Sequence, residues 1–391
     1  MPFVLDTERI SEFVDQLPRS VLERAPKTHF PIQLPLAFPS PLHHVNLLTV
    51  LHLVHATLSQ PRHTLYLAET RSDAYDIAIR GVFGLYLGSD ETWGAQNLLS
   101  AKAWKQGAMS EAKVGEFFSL DIMREKNHPT LPVKIGERWG PGAEIAGDLV
   151  ALFMRLGEGM AMRCVGEAVL AALGTSREGE NDGEGDRWTA ASSRAFCDQV
   201  VAFEPVMADG YASSPGDTHL PSAPLRLLQD LAALLPLLPE LDLSSPNLDP
   251  VSNLSPLPLS PPLLLYLGLI TPDADNDSDS AKLQSAIPTG QSVFELLASL
   301  TSETTADGPD KKDPRNATVS AETYAKLYAA SVEACQQIGD CASLASQEGV
   351  EAGSKRGMSY LEAERVCAYL ATVMEGKGLG VRVVVSEGID L

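Results

Sequence analysis

At 391 residues, with 44% hydrophobic and 21% charged content, the chain has a globular composition and enough length to bury a substantial core. Its formal charge of −21 repels polyanions, which argues against wrapping tRNA or duplex DNA and leaves room for a small anionic ligand in a local basic site. The five cysteines form no CxxC pair, so reduced side chains in helix cores are expected rather than a disulfide framework.

The first residues, "MPFVLDTERISEFVDQL", are acidic and amphipathic, unlike a basic–apolar signal peptide. No window holds the roughly 18 apolar residues that span a bilayer. The expectation is a cytoplasmic or nuclear protein, not secreted and with no membrane partner.

Helical periodicity dominates the rest of the chain. Patterns of three and four predict helices over 43–58, 74–88, 93–107 and 110–121, the last opened by Ser110 after Gly107 closes its predecessor. In 143–160, Ile145, Leu149, Leu152, Phe153, Leu156 and Met160 share one face. Further helices are predicted over 160–173, 189–203, 223–236, 291–300, 320–338 (with Ser320 as N-cap) and 359–375. Only "VRVVV" (381–385) reads strongly as strand. The fold class expected is mostly α: a single helical domain over 1–391 with flexible insertions at 174–188, 239–262, 271–290 and 301–316, several of them acidic. The stretch "SNLSPLPLSPPLLLYLGLITP" (252–272) joins a proline-rich run to an aliphatic one, and residues 254–262 are excluded from ordinary helix and central strand because proline lacks the amide donor.

Several motifs suggest chemistry. "HHVNLLTVLHLVH" offers His43, His44, His52 and His55, but no third zinc ligand, so no metal is expected. "SEAK" (110–113) has the SxxK spacing of serine acylases, yet Ser110 reads as a helix cap and no KTG or SDN is present. The glycines of "GERWGPG" (136–142) are read as a loop without a preceding strand, not as a phosphate loop. Three polar clusters remain. "PRHTLYLAETRSDAYDIAIRG" (61–81) carries Arg62, Tyr75 and Asp76; "FEPVMADGY" (203–211) carries Glu204 and Asp209; "APLRLLQDL" (223–231) carries Arg226, Gln229 and Asp230. Each alone could be a solvated face.

Their order resembles that of the queuosine salvage proteins, the queuosine 5′-phosphate N-glycosidases. "THFPIQLPLAFPSPLHHVNLLTVLHLV" (28–54) resembles that family's opening His, Pro-rich turn and helix. "RHTLYLAETRSDAYDIAI" (62–79) is similar to its R-x-x-L-H-x-x-T-G-R-G-A-Y-D stretch. "HPTLP" (128–132) with "GPGAEI", "PVMAD" (205–209), "RLLQ" (226–229) and "VSAETYAKLYAASVEACQQI" (319–338) come in the family's order, so that the likeness covers roughly 28–375. The resemblance implies an all-helical fold related to helix-hairpin-helix DNA glycosylases. It also implies hydrolysis of queuosine 5′-monophosphate to queuine for tRNA-modification salvage, without a cofactor and without direct polynucleotide binding.

Carried onto this chain, the catalytic positions are Asp209 and Asn253, and the substrate-binding positions are His29, Arg62, Tyr75, Asp76, Arg226, Gln229 and Glu364. Arg226, then Arg62, would anchor the 5′-phosphate. A carboxylate beside C1′ would stabilise an oxocarbenium-like centre. Ser252 or Asn253 stands where the family has its catalytic aspartate, and Tyr266 where it has a histidine. The alternatives are a catalytically impaired member that binds a nucleotide or base, and a helical scaffold whose acidic loops recruit partners.

Overall fold

The structure, a computed structural model, describes residues 3–18, 21, 28–34, 36–70, 72–88, 109–127, 133–159, 164–176, 188, 190–208, 221–241, 243, 246, 261–273, 278–287, 290–301, 315–320, 322–323, 326–327, 329–331, 333–334, 337–338, 341, 366–367, 369–371, 374 and 381–386. These residues are mostly helical, with a few short strands. Strand β1 (Phe3–Leu5) precedes α1 (Thr7–Gln16), whose N-cap Asp6 accepts a hydrogen bond from the Arg9 amide. After it come α2 (Pro41–Leu58), a 3-10 turn (Pro61–His63), α3 (Thr64–Thr70), α4 (Ala74–Leu87) and α5 (Glu111–Phe118). The Ser110 hydroxyl caps α5 by accepting from the Lys113 amide, which gives the SxxK match a structural reason. Next are β2 (Met123–Asn127), β3 (Lys134–Arg138), α6 (Gly140–Gly159), α7 (Val165–Thr175), α8 (Ala190–Phe203), a 3-10 turn (Pro205–Ala208) and α9 (Ser222–Leu234). The described elements end with α10 (Pro261–Tyr266), β4 (Ile270–Pro272), α11 (Ser278–Ala286), α12 (Val293–Thr301), β5 (Arg315–Ser320) and β6 (Val381–Ser386).

Four local expectations are corrected. Glycines 136–142 do follow a strand: Gly136 is in β3, and Gly140 opens α6 directly after Trp139. The strand belongs to a two-stranded antiparallel hairpin, not to a nucleotide-binding sheet. Among the described residues, strand 381–386 is accompanied by five others, all short and weakly patterned. Pro261 and Pro262 are helical after all, because the first turn of a helix has no use for the amide hydrogens they lack. Within 271–290, residues 278–286 form a helix, held by Asp279, whose carboxylate accepts from the Ser320 amide and the Lys282 ammonium. Burial alone would raise the Asp279 carboxyl, but these hydrogen bonds bring it below its ordinary range.

The chain divides into two compact units: Met1–Lys27, Ser213–Leu220 and Asp249–Leu391 form one, and Thr28–Ala212 with Pro221–Leu248 form the other. In the first, β1 pairs antiparallel with β4, α1, whose Ile10 and Phe13 are buried, packs on α12, and β5 pairs in parallel with β6. Ser292 and Glu295 form a reciprocal capping box that starts α12. The chain leaves α10 through Gly268, whose φ of 68° is the left-handed conformation that glycine adopts without strain.

The second unit is built around α2. Its sequence is apolar on every side, so it can be stable only if surrounded, and α4, α6, α7 and α9 all pack against it. Burial of Val45, Leu47, Leu48, Val50, Leu51, Leu53, Val54 and Leu58 contributes about 2 kcal/mol each as an upper figure. The buried polar side chains of this helix all have partners. Thr49 and Thr57 donate to carbonyls one turn back, and the Asn46 carbonyl accepts from the Gly166 amide at the start of α7. Gly166 permits that close approach, since a β-carbon there would lie 2.7 Å from the Asn46 nitrogen. The remaining buried polar residue, His52, leads to the candidate site.

Candidate functional site

Asp230 is fully buried on α9, one turn beyond Arg226. A bare carboxylate in that position would be costly, and three donors compensate it. The His29 amide donates to Oδ1 at 2.6 Å, the Phe30 amide to Oδ2 at 2.8 Å, and His52 Nε2 to Oδ2 at 2.9 Å. One side chain thereby joins α9, α2 and the 28–30 segment. Spacing alone places Arg226, Gln229 and Asp230 on one face of α9.

Around this anchor lies a group of rings. His29 is 4.6 Å from His55 and 5.6 Å from His52 between centroids, and it meets Tyr75 edge-on at 5.7 Å. Phe30 stacks on Tyr75, with centroids 5.0 Å apart and planes 9° from parallel. Burial pushes His29 and His55 well below the ordinary histidine range, and the Arg226 charge and the neighbouring imidazoles push the same way. Both rings are therefore neutral at neutral pH. Burial also raises the Tyr75 phenol to about 12, with Asp230, Asp76 and Asp73 adding to the effect.

Two buried nitrogens, His29 Nε2 in this group and Gln229 Nε2 next to Asp230 along α9, find no hydrogen-bond partner among the described residues. An unsatisfied buried donor costs about 1–3 kcal/mol, so such atoms point to something that binds there. The buried carboxylate of the group already has three donors.

The predicted site residues fall into three sets. His29, Tyr75 and Arg226 come together with Asp230, while Gln229 neighbours Asp230 along α9 with no described contact to the rings. Arg62 and Asp76 stand outside the ring group: Arg62 pairs with Asp148 of α6 at 2.8 Å, and Asp76 is an exposed residue in the first turn of α4 that reaches Tyr75 through its charge alone. Asp209, Asn253 and Glu364, with Ser252, lie outside the described residues. Glu204 is buried but engaged, accepting from the Arg155 guanidinium at 2.8 Å. Among the described residues, no three histidines, cysteines or carboxylates are placed to hold a metal ion. His52, half of the suspected ligand pair, serves Asp230 instead.

No family model, curated protein or solved structure matches this chain. The site is thus defined by its own geometry. Sequence reasoning noticed Asp230 but gave it no role, and passed over Phe30 and His55 as site residues. The usable signal was Asp230 one turn after Arg226, facing a helix whose histidines sit at 52 and 55. No helix among the described residues is long and apolar enough to cross a membrane.

Proposed function

We propose that the second unit binds the nucleotide queuosine 5′-monophosphate and that the protein hydrolyses its N-glycosidic bond, releasing queuine for tRNA-modification salvage. The observation that supports this reading is the gathering of His29, Tyr75 and Arg226, distant in sequence, around the saturated carboxylate of Asp230, with His29 Nε2 left without a hydrogen-bond partner among the described residues. On this reading the fold is of the helix-hairpin-helix glycosylase type. The Gln229 amide reads an acceptor on the ligand, and Arg226 meets the 5′-phosphate. The 7-deazapurine leaving group has carbon at the position where a purine would accept a proton, so hydrogen bonds at other edges must hold its developing charge. By the resemblance, Asp209 is the carboxylate assigned to the reacting sugar, and Asn253 and Glu364 are the other positions the family pattern carries onto this chain.

A second reading is binding without hydrolysis. It is favoured by the saturation of Asp230, the described carboxylate of this group, whose oxygens already accept from two amides and an imidazole and are not placed to act as base or nucleophile. One experiment separates the two: incubate the protein with queuosine 5′-monophosphate, follow queuine by chromatography, and record thermal shift with queuine in parallel. Release that is abolished by Asp209→Asn supports hydrolysis. Thermal stabilisation without release supports the binding reading, and neither signal removes this ligand altogether.

A further inference from the structure

Residues 28–30 reach the ring group from outside its helices. They form bends with no helix or strand of their own, whereas His52 and His55 stand on α2 and Tyr75 on α4. Phe30 is fully buried, 4.9 Å from His52 and 5.8 Å from His55 between centroids, and stacked on Tyr75 at 5.0 Å. His29 meets the same three rings, at 5.6, 4.6 and 5.7 Å. Two neighbouring side chains thus cover His52, His55 and Tyr75 together. What fastens them is slight. Among the described residues, the hydrogen bonds that hold this piece of backbone go to one group, the Asp230 carboxylate, from the His29 amide at 2.6 Å and the Phe30 amide at 2.8 Å. His29 Nε2 is buried with no partner among the described residues, a cost of this arrangement that contact with water would remove. Firm attachment resumes at Ile32, which is buried and whose backbone bonds the His44 ring. A short irregular piece with few backbone hydrogen bonds belongs to the least stable part of a fold.

We propose that residues 28–30 are a gate, latched by the Asp230 carboxylate over His52, His55 and Tyr75, which opens while α2, α4 and α9 stay packed. Opening frees two amides from Asp230, withdraws Phe30 from the face of Tyr75 and brings His29 Nε2 to water. His52 keeps its bond to Asp230, so the buried carboxylate retains a donor throughout. The inference deepens the proposed function and rests on it for the ligand alone. The flat base of a nucleotide would replace Phe30 against Tyr75, because a heteroaromatic ring can stack on the same face.

Native-state hydrogen exchange of the free protein tests the gate, read at the His29 and Phe30 amides against those of Val50 and Val54, both fully buried within α2. The gate amides should exchange at least about a hundredfold faster, at a rate that low urea leaves unchanged, because a local opening exposes little surface. Val169→Ala, at a buried position of α7, should quicken the α2 amides and leave the gate amides as they were. Exchange of all four amides at one urea-dependent rate overturns the proposal, and this series on the wild-type protein decides even if the variant does not fold. Saturating queuosine 5′-monophosphate should then strip the two gate amides of their protection. Binding that leaves them protected overturns the gate and spares the proposed function. Fast, urea-independent exchange with no binding of the nucleotide upholds the gate and removes that ligand.

Discussion

His52–Asp230 and His63–Asp148 are both separated by 2.9 Å, and both histidines are buried, yet the two pairs differ in everything else. Asp230 is fully buried and receives two backbone amides as well as the imidazole. Asp148 is 26% exposed on its side chain, sits 2.8 Å from the Arg62 guanidinium, and makes no aligned hydrogen bond through Oδ2. Neither ring nitrogen of His63 has a partner among the described residues. Separation is thus a poor guide to the strength of an ion pair. Alignment, burial and the number of donors decide it, because a hydrogen bond weakens steeply off axis and water screens an open pair.

The comparison can be broken by substitution. Asp230→Asn should have the largest effect, about 3–5 kcal/mol, because it removes a buried charge from three donors. Urea unfolding would measure it, and a loss under about 1 kcal/mol would put Asp230 on a par with a surface pair. His52→Gln should cost less, about 1.5–3 kcal/mol, since the two amides still hold the carboxylate.

The pH dependence sharpens the same contrast. His29 and His55 have folded-state pKa values below those of the unfolded chain. Their contribution is therefore fully present above about pH 6.5 and is lost as pH falls below it, where the unfolded chain takes up protons that the folded one refuses. Melting temperature should decline on acidification below that point, by up to about 1.4 kcal/mol of stability per histidine per pH unit. His55→Gln should reduce the slope. The smallest effect belongs to Asp148→Asn, expected within about 1 kcal/mol by urea unfolding. A larger loss would show that the Arg62–Asp148–His63 contact matters more than its geometry indicates.

Legibility in the sequence varied with the kind of signal. The helices over 43–58, 74–88, 189–203 and 223–236 were visible because apolar spacing is local, and the structure ends each within two residues of its predicted bounds. Helix 160–173 was placed less well: it begins at Val165, after Cys164. The hairpin of β2 and β3 was missed because all ten of its residues are exposed, so no apolar alternation marks it. It is decorated instead by charge pairs such as Lys134–Glu125 and by Arg124 over the Trp139 ring. For the candidate site, His29, Tyr75, Arg226 and Gln229 could be picked out by residue type and order, but no local pattern tells a gathered residue from a solvated one. Arg62 and Asp76 had the same credentials, yet Arg62 pairs with Asp148 and Asp76 stays exposed.

The sequence by itself determined the helical character of the chain, the caps at Ser110 and Ser320, and the need to bury α2 on every side. Those properties arise from neighbours within one or two turns. Tertiary structure alone decided that Asp230 would meet the amides of residues 29 and 30, about two hundred positions earlier, and that His52 would be its third donor. A buried carboxylate is stable only where distant donors converge on it, and that convergence exists only once the helices have packed.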